Sequence, residues 1–336
     1  MVSAKIYELG IAKQTAMGDP ATEAAFKTRV TGGDVMPLSN IQQLNETGRN
    51  RLPRTLFKAS AGADGNPSLA VREDLAGFLL WGALGTKSVS GGADPYAHEI
   101  TPANTTPYFT IWRMFGDMVW EKFIDCKIAQ LDLVSEAEQA LAMTLTIVGT
   151  KAVALDQATY NTEVAVGYSD DDPVVHHHGS GLLLVEGAAV SRMERVALSI
   201  VNGSARQFGD SIFADDVSEG AQTITVATRE RVIAPALYNR LHYGTATPTT
   251  GTEPTGDVIE LGGGGLDLMW RRVAAAPGPE RSIRLVSGSR VQVSGIGAFA
   301  PTTGDDPIRM EPTYAILDPD SGAAFTATVK NGVATY

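Results

Sequence analysis

The sequence predicts a mainly β protein in which one β-rich unit with a single short helix occurs twice in tandem. Three observations lead there. The 336 residues include 35 glycines and 17 prolines, many for a helical protein and usual for short strands joined by turns. Apolar and polar residues alternate strictly in several short runs, as in a strand with one buried face. Finally, a similar order of strands, one helix and a strand carrying a Trp-Arg pair recurs in both halves of the chain.

Taken in order, residues 1–50 show little periodicity, with one helical turn expected around Ala21–Lys27. They read as an N-terminal extended arm without its own core. Residues 51–150 form the first unit. It opens on "RTLFKAS" and "SLAVRE", then reaches "LAGFLLWGALG" (75–85), the greasiest run in the chain. Eleven residues are half of what a membrane-spanning helix needs, about 20. Gly85 closes the run as a helix-ending glycine does, so it reads as a buried helix of about three turns. A long loop, "PYFTIWRMF" and "MVWEKFIDCKIAQLDLV" follow. In the last of these the apolar set changes parity, from Ile124, Cys126 and Ile128 to Ala129, Leu131 and Leu133, which calls for a β-bulge near Ile128. "ALAMTLTIVG" then puts Leu141, Met143, Leu145 and Ile147 on one face.

Residues 151–185, with "YSDDDPVVHHHGSG", are polar and turn-rich and read as a linker. Residues 186–336 form the second unit: "VALSIVNG", "QTITVATRER", a helix at "APALYNRLHYG" (234–244), and "GLDLMWRR" with Leu266, Leu268 and Trp270 on one face. "RSIRLVSGSRVQVSG" aligns Ile283, Leu285, Val291 and Val293, and "AFTATVKN" aligns Phe325, Ala327 and Val329. Pro235 and Gly244 bracket the second helix. The pairs Trp112–Arg113 and Trp270–Arg271 fall at matching places.

Composition excludes several functions. A net charge of −11 argues against a surface that grips nucleic acid. With no signal-like or spanning segment at the N-terminus, a cytoplasm-like compartment is expected. Cys126 stands alone, so it reads as a small buried hydrophobe, not as a disulfide or zinc ligand. No catalytic constellation emerges: nothing brings His98 to Cys126 as base to nucleophile. His176–His178 lack metal-site spacing. Gly262–Gly265 lack the Lys-Ser/Thr of a phosphate loop. Asp170–Asp172, Asp215–Asp216 and Asp305–Asp306 lack the pattern of a calcium-binding hand. No catalytic, cofactor-binding or metal residue is expected, and the protein reads as not an enzyme.

Four stretches resemble the major tail tube proteins of long, non-contractile-tailed bacteriophages: "RLPRTLFKASAG" (51–62), "DPYAHEITPANTTPYFTIWRMFGD" (94–117), "VALSIVNG" (196–203) and "DPDSGAAFTATVKNG" (318–332). The early "MGDPAT" (17–22) fits as well. The resemblance implies two antiparallel sheets packed as a sandwich or half-barrel with a flanking helix. It also implies units that join sheet to sheet into rings, and rings that stack into a hollow tail tube of the virion, assembled in the host cytoplasm. The implied partners are further copies of the chain and the tail terminator, tape measure and tail tip proteins. DNA would pass the lumen without specific binding, and no membrane or cofactor is involved. In such proteins an arm and a long loop reach the next ring; the candidates here are Met1–Asn50, Ala59–Pro67 and Asn202–Gln222.

An acidic balance suits such a channel, since carboxylates repel phosphates. If the ancestral tube ring has six copies of a single unit, the duplicated chain builds the same ring from three chains, a trimer with pseudo-sixfold symmetry; the rival is six whole chains with the second unit outside. The alternative from another class is a β-sandwich binding module, carbohydrate-binding or adhesin-like. It would expose aromatics, whereas Trp81, Trp112, Trp120 and Trp270 all lie in periodic segments.

Overall fold

A computed structural model of the chain describes residues 7–44, 55–116, 118–168, 183–186, 188–190, 193–231, 236–255, 258–261, 265–272, 281–297 and 309–336. In the first half the strands are β1 (Tyr7–Lys13), β2 (Phe26–Arg29), β3 (Val35–Leu44), β4 (Thr55–Gly65) and β5 (Ser68–Ala70). Helix α1 (Glu73–Leu84) comes next. It precedes β6 (Gly85–Ser90), β7 (Tyr96–Pro102), β8 (Phe109–Phe115), β9 (Val119–Glu136), β10 (Ala142–Gly149), β11 (Lys151–Leu155) and helix α2 (Gln157–Glu163). The second half has β12 (Leu183–Val185), β13 (Ala188–Ala189), β14 (Met193–Val201), β15 (Ala205–Gln207), β16 (Asp216–Ser218), β17 (Thr223–Arg231) and helix α3 (Ala236–Tyr243). It ends with β18 (Leu266–Arg272), β19 (Arg281–Ser287), β20 (Val291–Ile296), β21 (Arg309–Met310), β22 (Pro312–Ile316) and β23 (Phe325–Asn331).

The protein is mainly β, and every strand-to-strand pairing among the described residues is antiparallel. A 14-stranded sheet has the main order β2-β1-β8-β9-β14-β17-β22-β20, with β3, β4, β5, β10, β11 and β21 branching from it. A seven-stranded sheet runs β13-β12-β18-β19-β23-β7-β6, and β15–β16 form a separate hairpin. One apolar core contains side chains from both large sheets and α1.

Helix α1 decides the layering. Every residue in it except Asp74 is buried, because it packs against β9 and β14 of one sheet and β6, β7, β19 and β23 of the other. A helix apolar on all sides is stable only where it is enclosed on all sides. It ends where the sequence says it should, at Gly85 with φ 106°, in the region that favours glycine. Helix α3 sits in the slot read for the second helix and ends at Gly244, φ 71°; Pro235 lies outside the described residues.

The parity change in β9 is a bulge. Thr146 faces Gln130 and Ile147 faces Ile128, so Ala129 is the extra residue. A second irregularity lies upstream, where Phe109 faces Cys126 but Ile111 faces Phe123. There Asp125 takes φ 54°, and Phe123, not Ile124, joins the core. Asp tolerates this conformation, and its carboxylate accepts hydrogen bonds from Gly18 N (2.7 Å) and Thr150 Oγ1 (2.9 Å). The predicted core faces of β10, β18, β19 and β23 are all buried.

Several expectations are corrected. Residues 7–29 are not an arm: β1 pairs with β8 along its whole length, and Leu9 and Ile11 are core residues. The segment Ala21–Lys27 forms no helical turn; Phe26 begins β2. The "long loop" after α1 is the β6–β7 hairpin, whose pairing partner is β23. The first part of the 151–185 linker is integrated too. Strand β11 pairs with β9, and α2, capped by Asp156 Oδ1 accepting from Thr159 N (2.7 Å), buries Tyr160 against Trp112, Ala12, Ala24 and Val164. That small core holds Trp112, while Trp270 lies in the main core. The tryptophans of the two Trp-Arg pairs, on β8 and β18, therefore pack into different cores.

Candidate functional site

The pairing register lines up residues from distant parts of the chain across the outer face of the long sheet. One row runs Ser68, Thr144, Asp132, Ser199, Thr225, Ala315 and Gln292, on seven neighbouring strands. The next runs Ala70, Ala142, Val134, Ala197, Ala227 and Thr313. A third contains Thr146, Gln130, Val201 and Thr223. Alternation puts Leu69, Met143, Leu133, Leu198, Val226 and Tyr314 beneath them, all buried. Asp132 is the one charge in these three rows, and neighbours hold it in the plane of the wall. Ser199 Oγ donates to it at 2.5 Å and Gln130 Nε2 at 2.8 Å.

Cations begin one row further on, and carboxylates meet them there. Arg195 faces Glu136 (3.2 Å). Glu194 takes Arg231 at 2.6 Å, Arg309 at 2.7 Å and Arg229 at 3.5 Å. The hydrogen bond from Arg309, then that from Arg231, holds the Glu194 carboxyl below the usual range. The outer face of the seven-stranded sheet differs in kind. Its rows carry Arg284, Glu99, Lys330 and the ion pair Asp267–Arg284 (2.7 Å). The three central rows of one sheet present mostly neutral groups, the other sheet mixed charge.

Two hairpins rise from this framework. On β3–β4, Ile41 (63% exposed), Leu56 (66%), Leu44 and Phe57 offer apolar surface. The predicted contact segment Ala59–Pro67 is instead its base, where Ala61 and Ala63 are buried. The β15–β16 hairpin, inside Asn202–Gln222, exposes Phe208 and Ile212. It docks on β4: Ala61 N donates to Ile212 O (2.7 Å), Arg206 Nε donates to Gly149 O (2.9 Å), and Arg206 also bonds Ala63 O and Asp64.

The residues screened for chemistry are separated. Cys126 is fully buried, and burial pushes its thiol pKa up. His98 stacks on Tyr336 (centroids 4.1 Å apart) and bonds Asn331 Oδ1 and Val333 O, with burial holding its pKa down. Asp216 accepts a hydrogen bond from Tyr108 Oη (2.6 Å). Among the described residues no cluster of three or more His, Cys, Asp or Glu could hold a metal, and no helix is long and apolar enough to cross a membrane. His176–His178, Asp170–Asp172, Asp305–Asp306 and Gly262–Gly264 lie outside the described residues. Trp81, Trp112 and Trp270 are buried and Trp120 is half-buried, which leaves no exposed aromatic platform among the tryptophans. What sequence reasoning missed was the neutral wall itself. Its alternating residues were legible strand by strand, but not which strands stand side by side.

A family model described as phage tail tube protein matches residues 8–311. No curated protein matches the chain. The match runs from β1 to just past β21 and so takes in the linker and most of both halves, stopping short of β22 and β23. The chain belongs to the phage tail tube protein family: it is a structural, non-enzymatic component of the virion tail.

Proposed function

We propose that the chain builds the tail tube of a long, non-contractile-tailed phage from two tandem tube units, so that three chains close a pseudo-sixfold ring around the DNA channel. The tandem reading draws support from pairing order. In the first half the order is β2-β1-β8-β9-β11; in the second it is β13-β12-β18-β19-β23. The second layer runs β5-β10-β9 in one half and β17-β22-β20 in the other, with α1 and α3 each following the first-named strand. On this reading the first unit begins at β1 and ends at β11, the second runs from β12 to β23, and residues between them are the connection.

The channel wall is the outer face of the 14-stranded sheet. The observation that carries this is the three-row surface, whose paired strand residues include no lysine or arginine, continuous across both units, with Arg290 and Glu260 only at its β20 margin. A polyanion needs cations to stay bound; hydroxyls, methyls and one tethered carboxylate give it nothing to hold. The wall is thus mainly neutral and only locally acidic, a milder barrier than a carboxylate-lined one. The charged face of the seven-stranded sheet is the tube exterior, and the apolar β3–β4 and β15–β16 hairpins make the contacts between rings. Terminator, tape measure and tip proteins would meet the ends of that stack.

A helical reconstruction of assembled tubes tests this directly. Three chains per ring, with Thr225 and Ser199 facing the lumen, are expected. Six chains per ring, or a lumen formed by Arg284, Lys330 and Glu99, would overturn it.

A further inference from the structure

The junction between the two halves is finished on one side of the chain and open on the other. Between the halves, β9 residues 130–134 lie between β10 and β14, and β23 lies between β19 and β7. Helix α1 is enclosed by strands of both halves. Among the described residues, the elements that correspond to these at the far ends lack such neighbours. Among the described residues β11 pairs only with β9, and of Tyr238–Tyr243 in α3 only Leu241 is buried. Among the described residues, strand β20 has β22 on one side and, on the other, only the short stretch Ile259–Leu261. There Val293 N donates to Ile259 O (2.9 Å), Leu261 N donates to Val291 O (2.8 Å), and Glu260 faces Gln292. The cover is thin. Val258 beside it is 65% exposed. A groove of about 350 Å³, lined by Leu241, His242, Val258, Ile259, Val293 and Ile296, remains between it and α3.

We propose that β20 is the edge on which the N-terminal half of a second copy of this chain docks, and that residues 259–261 guard it until then. The inference rests on the tandem reading above and deepens it. The β9–β14 junction supplies the template. Strand β14 leads into the β15–β16 hairpin as residues 31–36 lead into β3–β4, so that stretch of the incoming copy, where Gly32 and Met36 are exposed, takes the place of β14. Because β20 and residues 31–36 are different surfaces, the contact is head-to-tail, the kind that makes a ring when the rotation between copies closes. An open strand edge invites indiscriminate pairing, and covering it with a loop is a known remedy. The guard keeps free chains apart, and its two backbone hydrogen bonds are replaced by those of the incoming strand.

A reversible staple tests this. Glu260 and Gln292 are directly opposed between two flanking hydrogen bonds, the close, non-hydrogen-bonded kind of antiparallel pair that suits a disulfide, and Cys126 is too buried to compete. The full-length Glu260→Cys, Gln292→Cys chain, reduced, should form tubes as wild type does. Oxidised, it should assemble at least about tenfold more slowly, with unchanged circular dichroism and with recovery on reduction. Amide exchange of wild type should show residues 258–261 losing protection on assembly while Val291–Ile296 stay protected. If the oxidised chain assembles like the reduced one, the guard is overturned and the ring reading stands. If wild type forms no rings under nucleating conditions, the ring reading fails and this inference with it.

Discussion

Asn202 shows how single residues hold the two halves together. It is buried at 2% exposure, and its Nδ2 donates to Ala83 O of α1 (2.9 Å) and to Ile128 O beside the bulge in β9 (2.8 Å). Its Oδ1 accepts from Gln222 Nε2 (2.8 Å). A buried carbonyl left without its donor costs more than the bond gained. Asn202→Ala should therefore lower stability by about 2–3 kcal/mol in urea unfolding, with Gln222, which also reaches Ala83 O, limiting the loss. Glu230 acts through pH. Burial on β17 pushes its carboxyl up to about 7 from 4.5, so the native state holds a proton that the unfolded state has released. Stability then falls as pH rises between those two values. Glu230→Gln should raise stability at pH 8 by up to about 3 kcal/mol and have little effect at pH 4. Melting curves at the two pH values check the sign.

Among elements, α1 is the most constrained. A Cβ on Gly82 would stand 2.7 Å from Ile128 Cδ1 and 2.8 Å from the Phe109 ring, on the side where the helix lies against β9. Gly82→Val should cost about 1–3 kcal/mol through overpacking despite the glycine it removes from a helix, and the melting temperature reports it. Strong local signals made this helix and the strands β9, β10, β14, β17, β18, β19 and β23 legible. Long alternating runs were the easiest to read. The non-alternating β1, the short β2 and the polar β3 were not, because strand formation there depends on a partner more than on side-chain preference. The β6–β7 hairpin was missed for the same reason: it is held by β23, more than two hundred residues away in the chain.

At the scale of the molecule, the neutral wall carries the functional argument. A lysine in the middle of it should change what the tube does without changing how it forms, since Thr225 is only half-buried and points away from the core. Tubes of Thr225→Lys are expected to assemble normally, to retain DNA in low salt and to release it as salt rises; wild-type tubes should retain none. A filter-retention assay across a salt series separates the two. Retention by wild type would place the basic rows, not the neutral ones, on the channel.

Period and punctuation in the chain fixed the class of fold, the helices ending at Gly85 and Gly244, the bulge near Ile128 and most core faces, because each depends on neighbours a few residues apart. The order of the strands, the burial of residues 8–12, the separate cores of Trp112 and Trp270 and the seven-residue row through Asp132 came only with the tertiary structure. A sheet's surface is assembled from segments remote in sequence. Alternation says which side chains share a face of one strand, but only pairing register says which of them become neighbours.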